Sequence, residues 1–209
     1  MNEAMIISLL TITVRAGVSL LYATLGEIFT ERSGVLNLGV EGLMLMGAAT
    51  AFAVSYHSNS AWLGLGIAAL AGMVLAAVHA FFTITMQADQ VVSGLALTLF
   101  GTGLSSFMGQ RLGPGGTTMV GLQGPSFQRI PVPLLEDIPI IGPSFFNQDI
   151  LAYMLYLLLP LLAFFLYRTQ VGLHLRAVGD NPTAADALGI AVKRTRYIYT
   201  IFGGMLMGV

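Results

Sequence analysis

The fold is decided by an uncharged apolar run, AWLGLGIAALAGMVLAAVHAFFTITM, which extends from Ala61 to Met86. A helix of about 20 residues is enough to cross a hydrocarbon core of about 30 Å, and this run exceeds that length. Uncharged apolar stretches this long are typical of transmembrane helices. The run therefore predicts a membrane-spanning helix, and similar stretches are found on both sides of it.

Five further stretches are apolar and long enough, or nearly long enough, to cross a membrane. The predicted spans cover about residues 5–25, 34–56, 61–86, 91–109, 150–167 and 197–209. A secretory signal is the alternative for the first span, but no Lys or Arg precedes Met5. The last span is still apolar at Val209, so we expect it to continue. The predicted fold is an all-α polytopic bundle of about six spans, with residues 1–209 forming one transmembrane domain that is incomplete at its C-terminus.

Composition supports a membrane protein and excludes several functions. Of the 209 residues, 56% are hydrophobic and only 9% are charged, whereas soluble domains carry about a quarter charged residues. The 9 basic and 10 acidic residues leave no positive excess, so nucleic acid is not an expected partner. The lack of cysteine excludes disulfides, cysteine-ligated zinc and thiol catalysis. No group of metal-ligating residues is evident, and we expect no metal site.

Basic residues in the connections predict the orientation, because short loops rich in Lys and Arg remain in the cytoplasm. Residues 168–196 are therefore expected to form a cytoplasmic loop, and residues 26–33 lie on the same side by counting back. Residues 110–149 would form an external loop, whose many Pro and Gly residues favour irregular structure. The basic residues of the cytoplasmic loop are Arg168, Arg176, Lys193, Arg194 and Arg196.

Two charged residues fall within predicted spans, Arg15 in the first and Glu41 in the second. Charges at membrane depth are costly and normally face the bundle interior or a water-filled path. A mutual salt bridge that locks two helices is one interpretation, and lining of a solute pathway is the other. Asn37 precedes Glu41 by four residues, so a continuous helix would place both on one face. Neighbouring glycines favour local unwinding there, as in interrupted transporter helices, and we predict Asn37, Glu41 and Arg15 as pathway residues.

Other polar and small residues have structural interpretations. His79 is expected to be an interior histidine with hydrogen-bond partners. The group Asp89, Gln90 and Ser93 is expected to cap the fourth span, with a cytoplasmic gate as the alternative. Small residues four apart predict close helix packing, with a glycine hinge as the alternative. These small residues are Ala68, Gly72, Ala76, Gly204 and Gly208.

The cytoplasmic loop contains the signals of a short helix. Asn181 suits the N-cap, Pro182 suits the first helical position and Gly189 suits the C-terminus. Two turns are not stable alone, so this helix is expected to lean on the membrane domain or on a partner. The alternative is a loop held against the membrane surface. Its apolar residues would form a docking surface: Ala184, Ala187 and Leu188.

The sequence contains no recognisable catalytic motif. Its only lysine, Lys193, does not follow a glycine-rich loop, so there is no ATP-binding P-loop in these residues. Neither a G-x-S-x-G nor an H-E-x-x-H motif occurs. We therefore expect a protein that is not an enzyme and that holds no cofactor of its own.

Three ordered motifs resemble a known family. They are GEIFTERSGVLNLGVEGLMLMGA at residues 26–48, ADQVVSGLA at 88–96 and RAVGDNPTAADALGI at 176–190. The chain resembles the permease subunits of bacterial ABC importers, in the branched-chain amino acid, ribose and nucleoside group. The segments NLGVEG and GDNP are most similar to sequences of the simple-sugar and nucleoside branch. The resemblance covers nearly the whole chain.

The resemblance implies a subunit of the bacterial cytoplasmic membrane that translocates nucleosides or simple sugars by alternating access. It implies a second permease subunit, identical or different, an external substrate-binding lipoprotein and surrounding membrane lipid. A cytoplasmic ATPase would hold ATP and Mg²⁺ and would bind the coupling residues. An ion-coupled secondary transporter or channel, with a relay through Arg15, Glu41 and His79, is the alternative. The implied coupling residues are Gly179, Asp180, Asn181, Pro182, Ala184, Ala185, Leu188 and Gly189.

Overall fold

The computed structural model of the chain describes residues 3–133, 135 and 138–209. Three residues of the predicted external loop, Leu134, Glu136 and Asp137, lie outside the described residues, as do Met1 and Asn2. The described α-helices are α1 (Glu3–Arg32), α2 (Val40–Ser58), α3 (Ala61–Ala80), α4 (Gln90–Arg111), α5 (Ile141–Phe145), α6 (Ile150–Arg168), α7 (Gln170–Asp180), α8 (Pro182–Ala187) and α9 (Val192–Gly208). A π-helical turn, Phe81–Thr85, extends α3, and a 3₁₀ turn covers Pro114–Gly116.

Within the described ranges, four helical segments are long and apolar enough to cross a membrane. They comprise α1 from Met5, α3 with its π-helical extension, α4 and α6. This finding confirms a mainly helical membrane protein. Helices α2 and α9 pack among these segments, with α9 against α1 and α3, and α2 between α3 and α4.

Glycine allows the central helices to approach closely. A side chain at Gly72 of α3 would collide with the carbonyl oxygen of Gly204 on α9, and one at Gly208 would collide with that of Ala68. Gly47 of α2 likewise faces the backbone of Gly208. Small residues in spans bring backbones together so that dispersion contacts and lipid entropy hold the bundle. The predicted close packing through these residues is confirmed.

The helix boundaries correct three predictions. The first predicted span ends near Leu25, whereas α1 continues to Arg32 because Phe29 is buried among aromatic rings of α6 and α9. The second span was expected from Gly34, but α2 begins at Val40 after a non-helical segment. The sixth was expected near Tyr197, whereas α9 begins at Val192. Hydropathy does not detect the C-terminus of α1 or the N-terminus of α9, because these ends carry charged residues. A helix that leaves the hydrocarbon region continues with polar residues.

The predicted external loop is not wholly irregular, and the fold is not strictly all-α. Strands β1 (Arg129–Pro131) and β2 (Asn147–Asp149) form an antiparallel pair in which Ile130 lies opposite Gln148. The hydroxyl of Tyr153 on α6 donates to the carbonyl of Ile130 at 2.8 Å. Two three-residue strands are too short to show an alternating pattern, which explains why the sequence did not predict them.

Two helices occupy the predicted cytoplasmic loop, of which only α8 was expected. The side chain of Asn181 accepts a hydrogen bond from the N–H of Ala184 at 3.0 Å, and Gly189 has φ +81°, which confirms the predicted capping. The unexpected helix, α7, buries Leu175 and Val178. It lies across the ends of α6 and α1, because Gly172 packs on the Phe165 and Leu166 carbonyls and Gly179 packs on Arg32.

These contacts define two ends of the bundle. The basic end is formed by α7, α8, the C-termini of α1 and α6, and the N-terminus of α9. The opposite end is formed by the strands, the N-terminus of α6 and the C-termini of α2 and α4. At this end Nε2 of His57 on α2 lies 2.9 Å from the carbonyl oxygen of Leu112, which caps α4.

Candidate functional site

The candidate site is the non-helical segment Ser33–Gly39, called here the α1–α2 connection. The chain reverses at Gly34, whose φ of +83° is a conformation that favours glycine. Asn37 and Val35 are each only 1% exposed. A Cβ at Gly94 of α4 would be 2.6 Å from the backbone nitrogen of Leu38, and one at Gly39 would be 2.6 Å from the Leu97 side chain. The connection therefore reaches about 10 Å along α4 from its N-terminus.

Backbone groups in the connection are paired with side chains of α3 and α4. The N–H of Leu36 donates to Oε1 of Gln90 at 2.7 Å, and its carbonyl lies 3.1 Å from Nε2 of His79. Nδ1 of His79 lies 3.0 Å from Oγ of Ser93. Irregular backbone at membrane depth is tolerated only where its polar groups find such partners or water. The expectation that His79 is an interior hydrogen-bonded residue is confirmed.

Asn37 holds the deepest part of the connection in place. Its N–H donates to Oε1 of Glu27 on α1 at 3.1 Å, and its Oδ1 accepts from the N–H of Gly39 at 2.9 Å. Its Nδ2 lies 3.9 Å from the sulfur of Met207 on α9. The second carboxylate oxygen, Oε2 of Glu27, is buried without a hydrogen-bond partner in the described part of the chain. The connection is thus tied to α1, α3, α4 and α9 at once.

Glu41 lies just beyond the connection, on an exposed face of α2. Leu45, one turn further along α2, is 37% exposed, and Leu38 in the connection is 42% exposed. The neighbouring residue, Gly42, packs on the backbone of Leu97 and Thr98 in α4. The prediction that Asn37 and Glu41 lie on one helical face is wrong, because Asn37 is buried ahead of α2 while Glu41 is exposed on its first turn.

Arg15 lies apart from these residues. Its guanidinium is 4.0 Å from the carboxylate of Asp149, and the two side chains are 48% and 21% exposed. Asp149 also caps α6, since its Oδ1 accepts from the N–H of Ala152 at 3.1 Å. The proposed salt bridge between Arg15 and Glu41 is therefore wrong. Because α1 continues to Arg32, Arg15 lies about 25 Å from the basic end, near the opposite end of the bundle.

The predicted coupling residues surround α8 at the basic end. Ala185 is buried, only 2% exposed, and holds α8 on the bundle. Ala184 and Ala187 are exposed on α8, and Leu188, which caps it, is 82% exposed. Gly179, at the end of α7, touches both the Arg32 carbonyl and the backbone of Gly34. Asp180 ends α7, and Asn181, Pro182 and Gly189 delimit α8.

The structure adds two residues to the site that were not predicted. Hydropathy places Glu27 in a loop, whereas the continuation of α1 brings its carboxylate to the Asn37 N–H. The sequence indicates only that Arg196 is one of the basic residues of the cytoplasmic loop, whereas in the structure its Nε donates to the Ser33 carbonyl at 3.2 Å. The apolar residues that follow Glu27, with Phe29 buried at 1% exposed, are the signal that the helix continues.

The chain matches known permeases over nearly its whole length. The family model for the permease component of the branched-chain amino acid transport system matches residues 8–209. An ABC transporter permease protein of Haloferax volcanii, provisionally named for glucose, is 43% identical over 96% of this chain and 60% of its own length. The nucleoside ABC transporter permease protein NupC of Lactococcus lactis is 36% identical, over 91% of this chain and 61% of its own. The guanosine ABC transporter permease protein NupQ of Bacillus subtilis is 35% identical, over 98% and 67%.

This chain accordingly spans about 60% of the length of the first two of these relatives. No solved structure matches it. The irregular connection packed against the candidate span α4 and the capped helix α8 both lie within the residues that the family model matches. The chain therefore belongs to the family of branched-chain amino acid transport system permease components.

Proposed function

We propose that this chain is the membrane-spanning permease subunit of an ATP-driven (ABC) importer. Its membrane part would consist of six spans, α1, α2, α3, α4, α6 and α9. The basic end would face the cytoplasm, since it carries most of the Lys and Arg residues. The nucleoside, guanosine and glucose permeases among the similar proteins support nucleosides or simple sugars as the substrate class.

One observation carries this proposal: a continuous chain of contacts from α8 to the α1–α2 connection. α8 rests on the bundle through buried Ala185 and leads back into α7, whose Gly179 touches Arg32 and Gly34. Arg196 at the start of α9 donates a hydrogen bond to the Ser33 carbonyl of the same segment. Displacement of α8 by a bound protein would therefore shift the connection, which is the part of the chain with irregular backbone at membrane depth.

In this proposal the connection acts as the movable element of alternating access. Packed elements with discrete arrangements transmit small shifts, because close-packed interiors do not deform continuously. Asn37 would support the connection and Glu41 would face the solute path. Arg15 would lie at the external mouth of that path, beside Asp149.

The partners follow from what the subunit would need. ATP and Mg²⁺ would be held by a cytoplasmic ATPase that docks on Ala184, Ala187 and Leu188. A second permease subunit, identical or different, would complete the path, and a substrate-binding lipoprotein would deliver solute from outside. Membrane lipid would surround the assembled subunits.

Uptake of labelled nucleosides and ribose tests the proposal. The full-length permease and its partner subunits are reconstituted in vesicles with ATP inside, or with a proton gradient instead. We expect uptake that requires both ATP and the ATPase subunit. Uptake driven by the gradient alone would overturn the proposal and favour an ion-coupled transporter.

The docking role of α8 has a matched pair of variants. Leu188 and Val120 are both 82% exposed, but Leu188 follows α8 while Val120 lies in the predicted external loop. Neither side chain contributes to the core, so Leu188→Asp and Val120→Asp are each expected to change folding stability by less than about 0.5 kcal/mol. We expect Leu188→Asp alone to abolish co-purification of the ATPase and ATP-dependent uptake. Equal behaviour of the two variants would contradict docking at this surface.

A further inference from the structure

A cleft of about 750 Å³ opens between α7 and α9 at the basic end. On one side it is lined by Val171, Leu173 and His174 of α7. Arg194, Ile198 and Tyr199 of α9 and residues 188–191 also line it. Its apolar side chains are well exposed, since Val171, Leu173 and Ile198 are each between 50% and 54% accessible.

The polar groups of the cleft are arranged for an anion. Arg194 and the imidazole of His174 both line it, and no Asp or Glu does so among the described residues. Arg194 makes no ion pair within the described part of the chain. Its guanidinium offers several N–H donors that match phosphate oxygens. An anionic group would therefore find a cation here that is not already paired.

Polar and apolar groups follow one another along α9. Arg194 lies in the first turn of α9, whereas Ile198 lies one turn, or about 6 Å, further along the helix. A phospholipid has the same order, with a charged headgroup at the surface and acyl chains deeper in the bilayer. Basic pockets between helices on the cytoplasmic side are suited to anionic headgroups.

We propose that this cleft binds one anionic phospholipid of the cytoplasmic leaflet. The headgroup phosphate is held by Arg194 with His174, and an acyl chain lies along Val171 and Ile198. The proposal rests on the orientation given under the proposed function, in which the basic end faces the cytoplasm. It assigns α7 a lipid contact in addition to its contact with α1.

Photo-crosslinking identifies the occupant. A photoreactive amino acid is placed at Ile198 of the full-length permease, assembled with its partners in vesicles of phosphatidylethanolamine and phosphatidylglycerol. We expect an adduct with the mass of phosphatidylglycerol after irradiation. An adduct with the ATPase or another protein subunit, an adduct with phosphatidylethanolamine alone, or no adduct would overturn the proposal.

A charge-matched pair of variants measures the headgroup contact. Native mass spectrometry compares the retention of phosphatidylglycerol with that of phosphatidylcholine by the full-length permease. Arg194→Gln is expected to lower this preference about fivefold, the effect of one basic residue near a membrane surface. Lys193→Gln removes the same charge one residue away, outside the cleft lining, and is expected to preserve the preference. Equal effects of the two variants would show a general surface charge effect and no defined site.

These readouts need neither ATP nor solute, so a failure of the transport proposal leaves them interpretable. Ile198→Trp provides a third variant, which fills the apolar part of the cleft without changing its charge. We expect it to reduce retention of phosphatidylglycerol as strongly as Arg194→Gln. Unchanged retention in Ile198→Trp would contradict the assigned acyl-chain position.

Discussion

Replacement of Asn37 by alanine separates a structural role from a pathway role at the α1–α2 connection. Asn37 is 1% exposed, and its Oδ1 accepts the N–H of Gly39 at 2.9 Å. Asn37→Ala leaves that N–H without a partner at a position that water does not reach. By contrast, Glu41 is exposed on the next helix and makes no described hydrogen bond.

The expected magnitudes differ because burial differs. A buried donor that loses its partner costs about 1–3 kcal/mol of folding free energy. The contact between Nδ2 of Asn37 and the Met207 sulfur is long, at 3.9 Å, and adds little. Glu41→Gln changes an exposed side chain, so its expected effect on stability is within about 0.5 kcal/mol. If Glu41 lines the path, uptake per folded molecule nevertheless falls in Glu41→Gln.

Two measurements on the same preparations test this difference. Denaturant unfolding in micelles gives the free energy of unfolding, and uptake in vesicles is normalised to folded protein. Asn37→Ser serves as a control, since its hydroxyl can accept the Gly39 N–H two residues on, and it should recover part of the lost stability. An Asn37→Ala protein as stable as the wild type would refute the structural role. Normal uptake by the Asn37→Ala, Glu41→Ala double variant would refute the pathway assignment.

Three further predictions concern packing, charge and coupling. Gly72→Ala is expected to lower the free energy of unfolding by about 1–3 kcal/mol, because the added methyl group overpacks against α9. A methyl group at Gly66, on the same helix, has no atom within 4 Å. In thermal unfolding, Gly66→Ala should therefore be neutral or stabilising. A double-mutant cycle of Arg15→Gln and Asp149→Asn should give a coupling energy below about 1 kcal/mol, because half-exposed ion pairs are weak. A larger coupling energy would show that the pair stabilises the fold as a buried ion pair does. Ala185→Pro breaks the interior of α8, so ATP-dependent uptake should fall while membrane fractionation shows normal insertion; retained uptake would argue against coupling through α8.

Length and hydropathy were enough to predict the four described helical segments that are long and apolar enough to cross a membrane. The third predicted span, at residues 61–86, agrees with α3 and its π-helical extension to within one residue, and the fifth, at residues 150–167, agrees equally well with α6. The N-cap at Asp89 was also predictable, and its side chain accepts from the N–H of Val92 at 2.9 Å. These features depend on local chemistry, that is, on apolar runs and on side chains that pair with nearby backbone groups. The sequence within each element therefore contains the information that specifies it.

The tertiary partners could not be predicted in the same way. Arg15 could have paired with any acidic residue near its depth, and the structure places Asp149, which is distant in sequence, beside it. The four-residue spacing of Asn37 and Glu41 favours a helix, but Gln90, His79 and Glu27 pair with the backbone groups of this segment, which is not helical. A segment that obtains its hydrogen bonds from other helices carries no periodic pattern of its own.

The same property makes the connection suitable for motion. A regular helix holds its own hydrogen bonds and moves as a rigid rod, whereas the connection depends on bonds from α1, α3, α4 and α9. A relative shift of these helices must therefore break or exchange those bonds. Because Gly179 packs against both Arg32 and Gly34, the proposed displacement of α8 would reach the connection directly rather than through the length of a membrane span. In the proposed mechanism, the shortest mechanical route from a docked ATPase to the interior of the bundle would thus run through the segment whose backbone geometry is least fixed by its own sequence.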